Sequence, residues 1–116
     1  MNRLPKANEV IVDENKMTKY MLNKDHPKGG SKAIFYMKRG FRLDSWAELA
    51  DALRAHAREH FVTEISEDQY GTIYVVEGTM GCPDGRIPRI RSVWIVDHVD
   101  TPPKFVTAYP CKDEVR

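Results

Sequence analysis

The sequence predicts an α+β protein, with about three N-terminal helices packed on a C-terminal, mostly antiparallel sheet of about four strands. Apolar residues recur at helical spacing in the first half of the chain, and from Phe61 onward they alternate with a period of two. No helical pattern separates the predicted strands, which favours turns over crossover connections. At 116 residues we expect one domain over residues 1–116, with a helical part of about 13–60 and a sheet part of about 61–110.

Two short helices are predicted before residue 40. Asp13 is a candidate N-cap for the first, over residues 14–22, which His26 and Pro27 follow. Ser31 is a candidate N-cap for the second, which runs to residue 38 or 39 and ends at Gly40. The inner face of the second helix is predicted to contain Ala33 or Ile34, and Met37.

The third predicted helix is the longest. Asp44 or Ser45 is its candidate N-cap, and Ser45 with Glu48 has the spacing of a capping box. Its apolar face is predicted to contain Trp46, Leu49, Ala50, Leu53 and Ala57.

Four strands are predicted over residues 61–65, 70–77, 89–97 and 105–109. Pro83, Asp84 and Gly85 favour a tight turn, so the second and third strands should form a long hairpin. Residues 10–12 are either a short strand or an apolar segment that leads into the first helix. The core face of the third strand is predicted to contain Ile90, Trp94 and Val96.

The register of the last strand decides whether it contributes to a site. If Val106 and Ala108 face the helices, Thr107 and Tyr109 lie on the open face of the sheet. They then share that face with two arginines of the third strand, Arg89 and Arg91. A slip of one residue would instead place Thr107 and Tyr109 in the core.

Charge is unevenly distributed, although the formal net charge is only +1. Residues 14–42, the basic segment, contain eight cations and two anions, whereas residues 44–68 contain seven anions and two cations. The basic segment suits an anionic ligand or an acidic partner. The alternative is that both segments are ordinary solvated helix faces.

Cys82 and Cys111 have neither metal-ligand spacing nor the pattern of a disulfide framework, so we expect free thiols in a reducing compartment. No export signal or membrane-spanning run is apparent, and we expect a cytoplasmic protein that does not contact a membrane. Residues 29–32, GGSK, lack the spacing of a phosphate loop. We expect no cofactor and no metal site.

Three sequence runs resemble a family of small bacterial domains that occur alone or as C-terminal modules of adhesin-like toxins. They are KxxxYxLNxxHPxGxSKAxxF at residues 16–35, YGT at residues 70–72 and VTAYP at residues 106–110. The order of elements is also similar to that of the barnase–EndoU–colicin–RelE superfamily of metal-independent ribonucleases. The resemblance implies an endoribonuclease-like toxin domain that cleaves RNA by attack of the ribose 2′-OH and leaves a 2′,3′-cyclic phosphate.

This chemistry requires a base, an acid and cations around the phosphorus. The resemblance implies His26 as base or acid, Lys32 as a cation, and Thr107 and Tyr109 as groups that orient the phosphate. The implied substrate-binding residues are Lys16, Tyr20, Lys28, Arg89 and Arg91. Tyr20 is a candidate for base stacking, although aromatic residues at helical spacing are more often part of a core.

The motif contains only one histidine, so a two-histidine mechanism needs His56 or His60, or Lys32 as the acid. The alternative for His56 and His60 is a partly buried histidine with a hydrogen-bond partner. Expected partners are RNA and an immunity or antitoxin protein with an acidic surface. The alternative function is a non-catalytic module of a toxin/immunity-type operon that binds an anion or a protein.

Overall fold

The computed structural model describes residues 2–111, so Met1 and residues 112–116 of the predicted domain lie outside the described part. Helix α1 spans Glu14–Lys16 and continues as a π-helical turn over Met17–Met21; α2 spans Gly30–Met37 and α3 spans Trp46–Glu59. Short 3₁₀ turns cover Ala7–Glu9 and Leu43–Ser45. The strands are β1 (Val62–Asp68), β2 (Gly71–Thr79), β3 (Arg89–Val96) and β4 (Lys104–Pro110). The predicted α+β order of helices followed by strands is confirmed.

The four strands form one sheet in the order β1-β2-β3-β4, and each neighbouring pair is antiparallel. The predicted hairpin joins β2 to β3, with a turn closed by the N–H of Gly85 donating to the Cys82 carbonyl at 2.9 Å. Gly85 has φ of +92°, a conformation that favours glycine. Of residues 10–12, Ile11 forms a single parallel bridge with Lys104, so this segment adds one bridge to the β4 edge.

The inner face of α2 differs from the prediction. Ala33 and Tyr36 are buried, whereas Ile34 is 46% exposed and Met37 is 38% exposed. The helix begins at Gly30 after a Gly29 N-cap, and Ser31 lies inside the helix without capping it. The ring of Tyr36 contacts other aromatic rings edge to face, and this large apolar surface determines which side of α2 faces inward.

Helix α3 covers the sheet with the apolar face that the sequence predicts. Leu49, Ala50, Leu53 and Ala57 are fully buried, and Trp46 packs at the margin of the core. Ser45 occupies the N-cap position but makes no side-chain hydrogen bond there, so the predicted capping box does not form. On the sheet, Ile90 and Trp94 are fully buried beneath the helices, and Val96 is half-buried.

A β-bulge in β4 corrects the predicted alternation of that strand. Trp94 pairs with Phe105 and Val93 pairs with Thr107, so Val106 has no opposite residue on β3. Because of this extra residue, Phe105 and Ala108 both face the core, whereas the prediction placed Val106 there. Thr107 pairs opposite Val93 and Tyr109 opposite Arg91, so both lie on the open face with Arg91.

Candidate functional site

The hydroxyl of Tyr20 lies at the centre of a cluster of polar side chains from three elements. Lys32 Nζ, from α2, donates a hydrogen bond to Tyr20 Oη at 2.9 Å. Thr107 Oγ1, from β4, is hydrogen-bonded to the same oxygen at 3.1 Å. Lys16 Nζ lies 5.2 Å from the centre of the Tyr20 ring and donates to the Val106 carbonyl at 3.0 Å. We call these four residues and His26 the Tyr20 cluster.

The electrostatics of the cluster favour the ionised form of Tyr20. Partial burial acts to raise the pKa of Tyr20, but hydrogen bonds with Lys32 and Thr107 and the charges of Lys32 and Lys16 outweigh it. The net result is a pKa below the usual 10.0. The cluster therefore favours the phenolate of Tyr20 more than bulk water does, a property that the sequence did not indicate.

The loop between α1 and α2 holds His26 against Tyr20. Asn23 shapes the loop because its side-chain oxygen accepts the N–H of Asp25 at 3.0 Å and its carbonyl accepts the N–H of His26 at 3.1 Å. The rings of Tyr20 and His26 meet edge to face with centres 5.0 Å apart. Gly29 makes this approach feasible because a Cβ there would lie 2.9 Å from the Tyr20 ring and from its carbonyl oxygen.

The hydrogen bonds of His26 define which ring nitrogen carries the proton. His26 Nδ1 accepts the backbone N–H groups of Lys28 and Gly29, both at 3.0 Å. An Nδ1 that accepts has no proton, so the neutral ring carries its proton on Nε2. In this form His26 offers a hydrogen-bond donor, which suits contact with a phosphate oxygen.

The open face of the sheet beside Thr107 contains a cavity of about 330 Å³. Its lining consists of Glu77, Arg91, Tyr109, Pro110 and Cys111. Tyr109 lies two residues after Thr107 on the same face of β4, so the cavity adjoins the Tyr20 cluster at a distance of about 7 Å along the strand.

The arginines of this face form ion pairs with glutamates. Arg91 Nη1 lies 2.8 Å from Glu77 Oε2 and Arg91 Nη2 lies 2.8 Å from Glu64 Oε1. Arg89 Nη2 lies 3.8 Å from Glu77 Oε1. The charges of Arg89 and Arg91 are thus offset by two carboxylates, whereas Lys16 and Lys32 form no ion pair with a carboxylate among residues 2–111.

The structure therefore divides the predicted site residues into two adjoining groups. Lys16, Tyr20, His26, Lys32 and Thr107 form the Tyr20 cluster. Tyr109 and Arg91 line the cavity, with Arg89 paired to its Glu77. Lys28 is exposed, and its backbone N–H, not its ammonium group, contacts His26.

The other two candidate histidines have structural partners. His56 is 1% exposed; its Nε2 lies 3.0 Å from the Gly78 carbonyl and its Nδ1 lies 2.9 Å from Ser92 Oγ. Because Nε2 faces the carbonyls of Gly78 and Ile90 it carries the ring proton, so Nδ1 accepts from the Ser92 hydroxyl, whose oxygen accepts from Trp94 Nε1 at 2.8 Å. His60 Nε2 donates to the Thr79 carbonyl at 2.8 Å. Both histidines lie where α3 contacts the sheet. Each has hydrogen-bond partners there, which agrees with the structural alternative and not with a catalytic role.

Over residues 2–111, no group of three or more His, Cys, Asp or Glu side chains is arranged to hold a metal ion. In the same residues, no helix has the length and apolar character needed to span a bilayer. Cys82 and Cys111 are free thiols, and burial raises the pKa of each above its usual value.

The fold is similar to that of a chain in a structure described as "Contact-dependent growth inhibition toxin - immunity protein complex from Klebsiella pneumoniae 342". The TM-score is 0.68 at 20% sequence identity, and the match covers 87% of this chain and 99% of that chain. At this identity the likeness concerns the fold. Residues 3–112 match the family described as "Domain of unknown function (DUF6883)", and the chain belongs to that family. Among curated proteins there is no significant match.

Two residues of the site carried a weak signal in the sequence. Asn23 and Gly29 are types that favour turns, and both follow a predicted helix, which indicates loop geometry but not its purpose. The central position of Tyr20 had no local signal because Thr107, its partner, is 87 residues away.

Proposed function

We propose that this chain is a metal-independent, ribonuclease-like bacterial toxin domain that cleaves RNA by attack of the ribose 2′-oxygen. The observation that supports this function best is the convergence of Lys32 and Thr107 on the Tyr20 hydroxyl, at 2.9 and 3.1 Å. Together with His26 and Lys16, the cluster supplies a proton acceptor, a proton donor and cations, which this reaction requires.

In the proposed reaction, the phenolate form of Tyr20, which Lys32 and Thr107 favour, takes the proton of the 2′-OH while the 2′-oxygen bonds to phosphorus. The bond from phosphorus to the 5′-oxygen breaks, and that oxygen receives a proton from Lys32. The products are a 2′,3′-cyclic phosphate and a 5′-hydroxyl. A proton then passes from Tyr20 Oη to Lys32 Nζ along their 2.9 Å hydrogen bond and restores the starting state.

The remaining residues of the cluster act on the phosphate. His26 Nε2–H donates a hydrogen bond to a non-bridging oxygen, and Lys16 adds positive charge. Once Tyr20 has taken the 2′-OH proton, the Thr107 hydroxyl is released from the phenolate and donates to a second non-bridging oxygen. Tyr109, one step along β4 on the same face, orients the nucleotide beside the phosphate. His26 thus acts as a donor in this scheme, because its Nδ1 is occupied by two backbone N–H groups.

The toxin part of the proposal draws on the fold. The chain resembles a member of a contact-dependent growth inhibition toxin and immunity protein complex, which favours a toxin/immunity-type module. We propose that its partner is an immunity protein with an acidic surface that covers the basic segment, residues 14–42.

A non-catalytic module that binds an anion or a protein is the second candidate. It is favoured by the fact that the polar atoms of Tyr20, Lys32 and Thr107 bond to one another, as in a network that only rigidifies a loop. In this case the loop between α1 and α2 binds an anion or a protein, and no bond in the ligand is cleaved.

Expression in bacteria from a tightly controlled promoter distinguishes the two candidates. We expect growth arrest and discrete RNA fragments with the parent chain, and neither with His26→Ala or Tyr20→Phe. His98→Ala and Tyr70→Phe are matched controls because both side chains are exposed and neither belongs to the Tyr20 cluster, and they should remain toxic. Intact RNA and normal growth with soluble parent protein would support the binding module.

A further inference from the structure

We propose that the cavity on the open face of the sheet binds a guanine base of the RNA, beside the phosphate held by the Tyr20 cluster. As a substrate subsite this rests on the proposed function, but base binding is measurable without cleavage. The cavity is lined by Glu77, Arg91, Tyr109, Pro110 and Cys111 and has a volume of about 330 Å³. This lies at the lower end of the range for small-molecule pockets, roughly 300–1,000 Å³, and suits a ligand as small as a base.

The charge of the cavity favours a neutral ligand. Arg91 is paired with Glu77 and Glu64, each at 2.8 Å, and Arg89 lies 3.8 Å from Glu77. Two guanidinium groups and two carboxylates balance, so a phosphate would gain little net attraction here. A flat, uncharged molecule with several hydrogen-bonding groups fits better.

The arrangement of hydrogen-bond donors and acceptors in the cavity favours guanine over the other bases. Glu77 is 23% exposed and accepts hydrogen bonds, and Arg91 is 28% exposed beside it and donates them. The Watson–Crick edge of guanine presents two adjacent N–H donors next to a carbonyl oxygen, which matches a carboxylate beside a guanidinium. The same edge of adenine, cytosine or uracil offers a single N–H donor, so a carboxylate pairs with it less completely.

The position of Tyr109 connects the cavity to the cluster. Tyr109 lines the cavity and is separated from Thr107 by one residue on the same face of β4, about 7 Å along the strand. Its ring provides an aromatic surface on which a base can stack. A nucleotide whose phosphate contacts Thr107 therefore has its base within reach of Glu77 and Arg91.

The test compares guanosine 5′-monophosphate with adenosine 5′-monophosphate in NMR titrations of the full chain, since the two share ribose and phosphate. We expect the guanine nucleotide to bind at least about tenfold more tightly, with shifts at Glu77, Arg91 and Tyr109. Glu77→Gln should remove most of this preference. Glu64→Gln is the matched control, because it also removes an ion pair of Arg91 but lies outside the cavity lining, and it should keep the preference.

Equal binding of the two nucleotides, or an unchanged preference in folded Glu77→Gln, would overturn the guanine subsite. Cleavage of RNA oligonucleotides is measured on the same proteins to separate the two proposals. Cleavage that is insensitive to base identity would overturn the subsite and leave the ribonuclease. Guanine-selective binding without any cleavage would retain the base site and overturn the ribonuclease.

Discussion

Tyr20 gains its chemical character from residues on two other elements. Lys32 donates to its hydroxyl from α2, Thr107 Oγ1 is hydrogen-bonded to it from β4, and both bonds lower the pKa of Tyr20. The unusual property of the site thus belongs to a tyrosine, whereas sequence reasoning centred on His26. The Tyr20 oxygen can accept a proton and the Lys32 ammonium group can donate one, and a single hydrogen bond of 2.9 Å joins the two groups.

Replacing Lys32 by Met should raise the pKa of Tyr20. Burial raises the pKa of Tyr20, and the substitution removes the Lys32 hydrogen bond and charge that oppose it, so that only Thr107 and Lys16 still lower the pKa. Ultraviolet difference titration of the variant against the parent, with Tyr20→Phe to assign the signal, measures this change. Lys38→Met is the matched control, because Lys38 is an exposed cation at the end of α2. An unchanged Tyr20 titration in Lys32→Met would contradict the arrangement.

His56 should make stability depend on pH. Burial, the largest effect, lowers its pKa from 6.5 to about 4 in the folded state. The unfolded chain therefore binds this proton at a higher pH, and stability is fully present above about pH 6.5 and is lost as the pH falls toward 4. The loss amounts to roughly 3 kcal/mol at 1.4 kcal/mol per pKa unit.

Urea unfolding at pH 7 and at pH 4.5 measures this loss. His56→Gln should be less stable at pH 7 but show a smaller difference between the two pH values. His98→Ala, which changes an exposed histidine, should keep the full difference. If the parent and His56→Gln lost the same amount of stability, the neutral buried state of His56 would be refuted.

At the scale of elements, the conformation of the loop between α1 and α2 depends on Gly29 as well as on His26. His26 accepts two backbone N–H groups of the loop, and Gly29 lets the loop approach Tyr20 closely. A Cβ at Gly29 would lie 2.9 Å from the Tyr20 ring and its carbonyl, whereas a Cβ at Gly81 would meet nothing within 4 Å. Gly29→Ala should lower the free energy of unfolding by about 1–3 kcal/mol through overpacking. Gly81→Ala should leave it nearly unchanged.

Thermal unfolding of both glycine variants measures this difference. Gly29→Ala should also alter the NMR signals of Tyr20 and His26, because the ring must move away from the loop. A Gly29→Ala protein as stable as Gly81→Ala, with unchanged Tyr20 signals, would show that the close approach is not needed.

The spacing of apolar residues along the sequence predicted the buried face of α3 better than it predicted the register of β4. The apolar positions of α3, from Leu49 to Ala57, follow directly from helical spacing. The bulge at Val106 is a property of strand pairing, and a single strand gives no sign of it. The sequence left the register of β4 open, and Thr107 and Tyr109 reach the open face because the bulge shifts the residues after it by one position.

At the scale of the whole molecule, element order and residue type fixed the fold class, but the site depends on distant contacts. The loop residues from Asn23 to Gly29 are local and carried a signal, whereas the bond between Tyr20 and Thr107 joins residues 87 positions apart. The pairing of Arg91 with Glu64 and Glu77 depends on sheet register in the same way. Charge counts along the chain therefore indicated a basic segment but not which cations remain available to a ligand.

Cleavage of a defined RNA oligonucleotide by the purified chain in the presence of a chelator tests the proposed site most directly. We predict fragments that end in a 2′,3′-cyclic phosphate, identified by mass spectrometry. The fragments should be absent with Tyr20→Phe and with an oligonucleotide of the same sequence made entirely of 2′-deoxynucleotides. Tyr70→Phe should cleave as the parent does, because Tyr70 is exposed and outside the cluster. An uncleaved oligonucleotide, or equal cleavage of the RNA and the 2′-deoxy strand, would contradict a ribonuclease that acts through the 2′-OH.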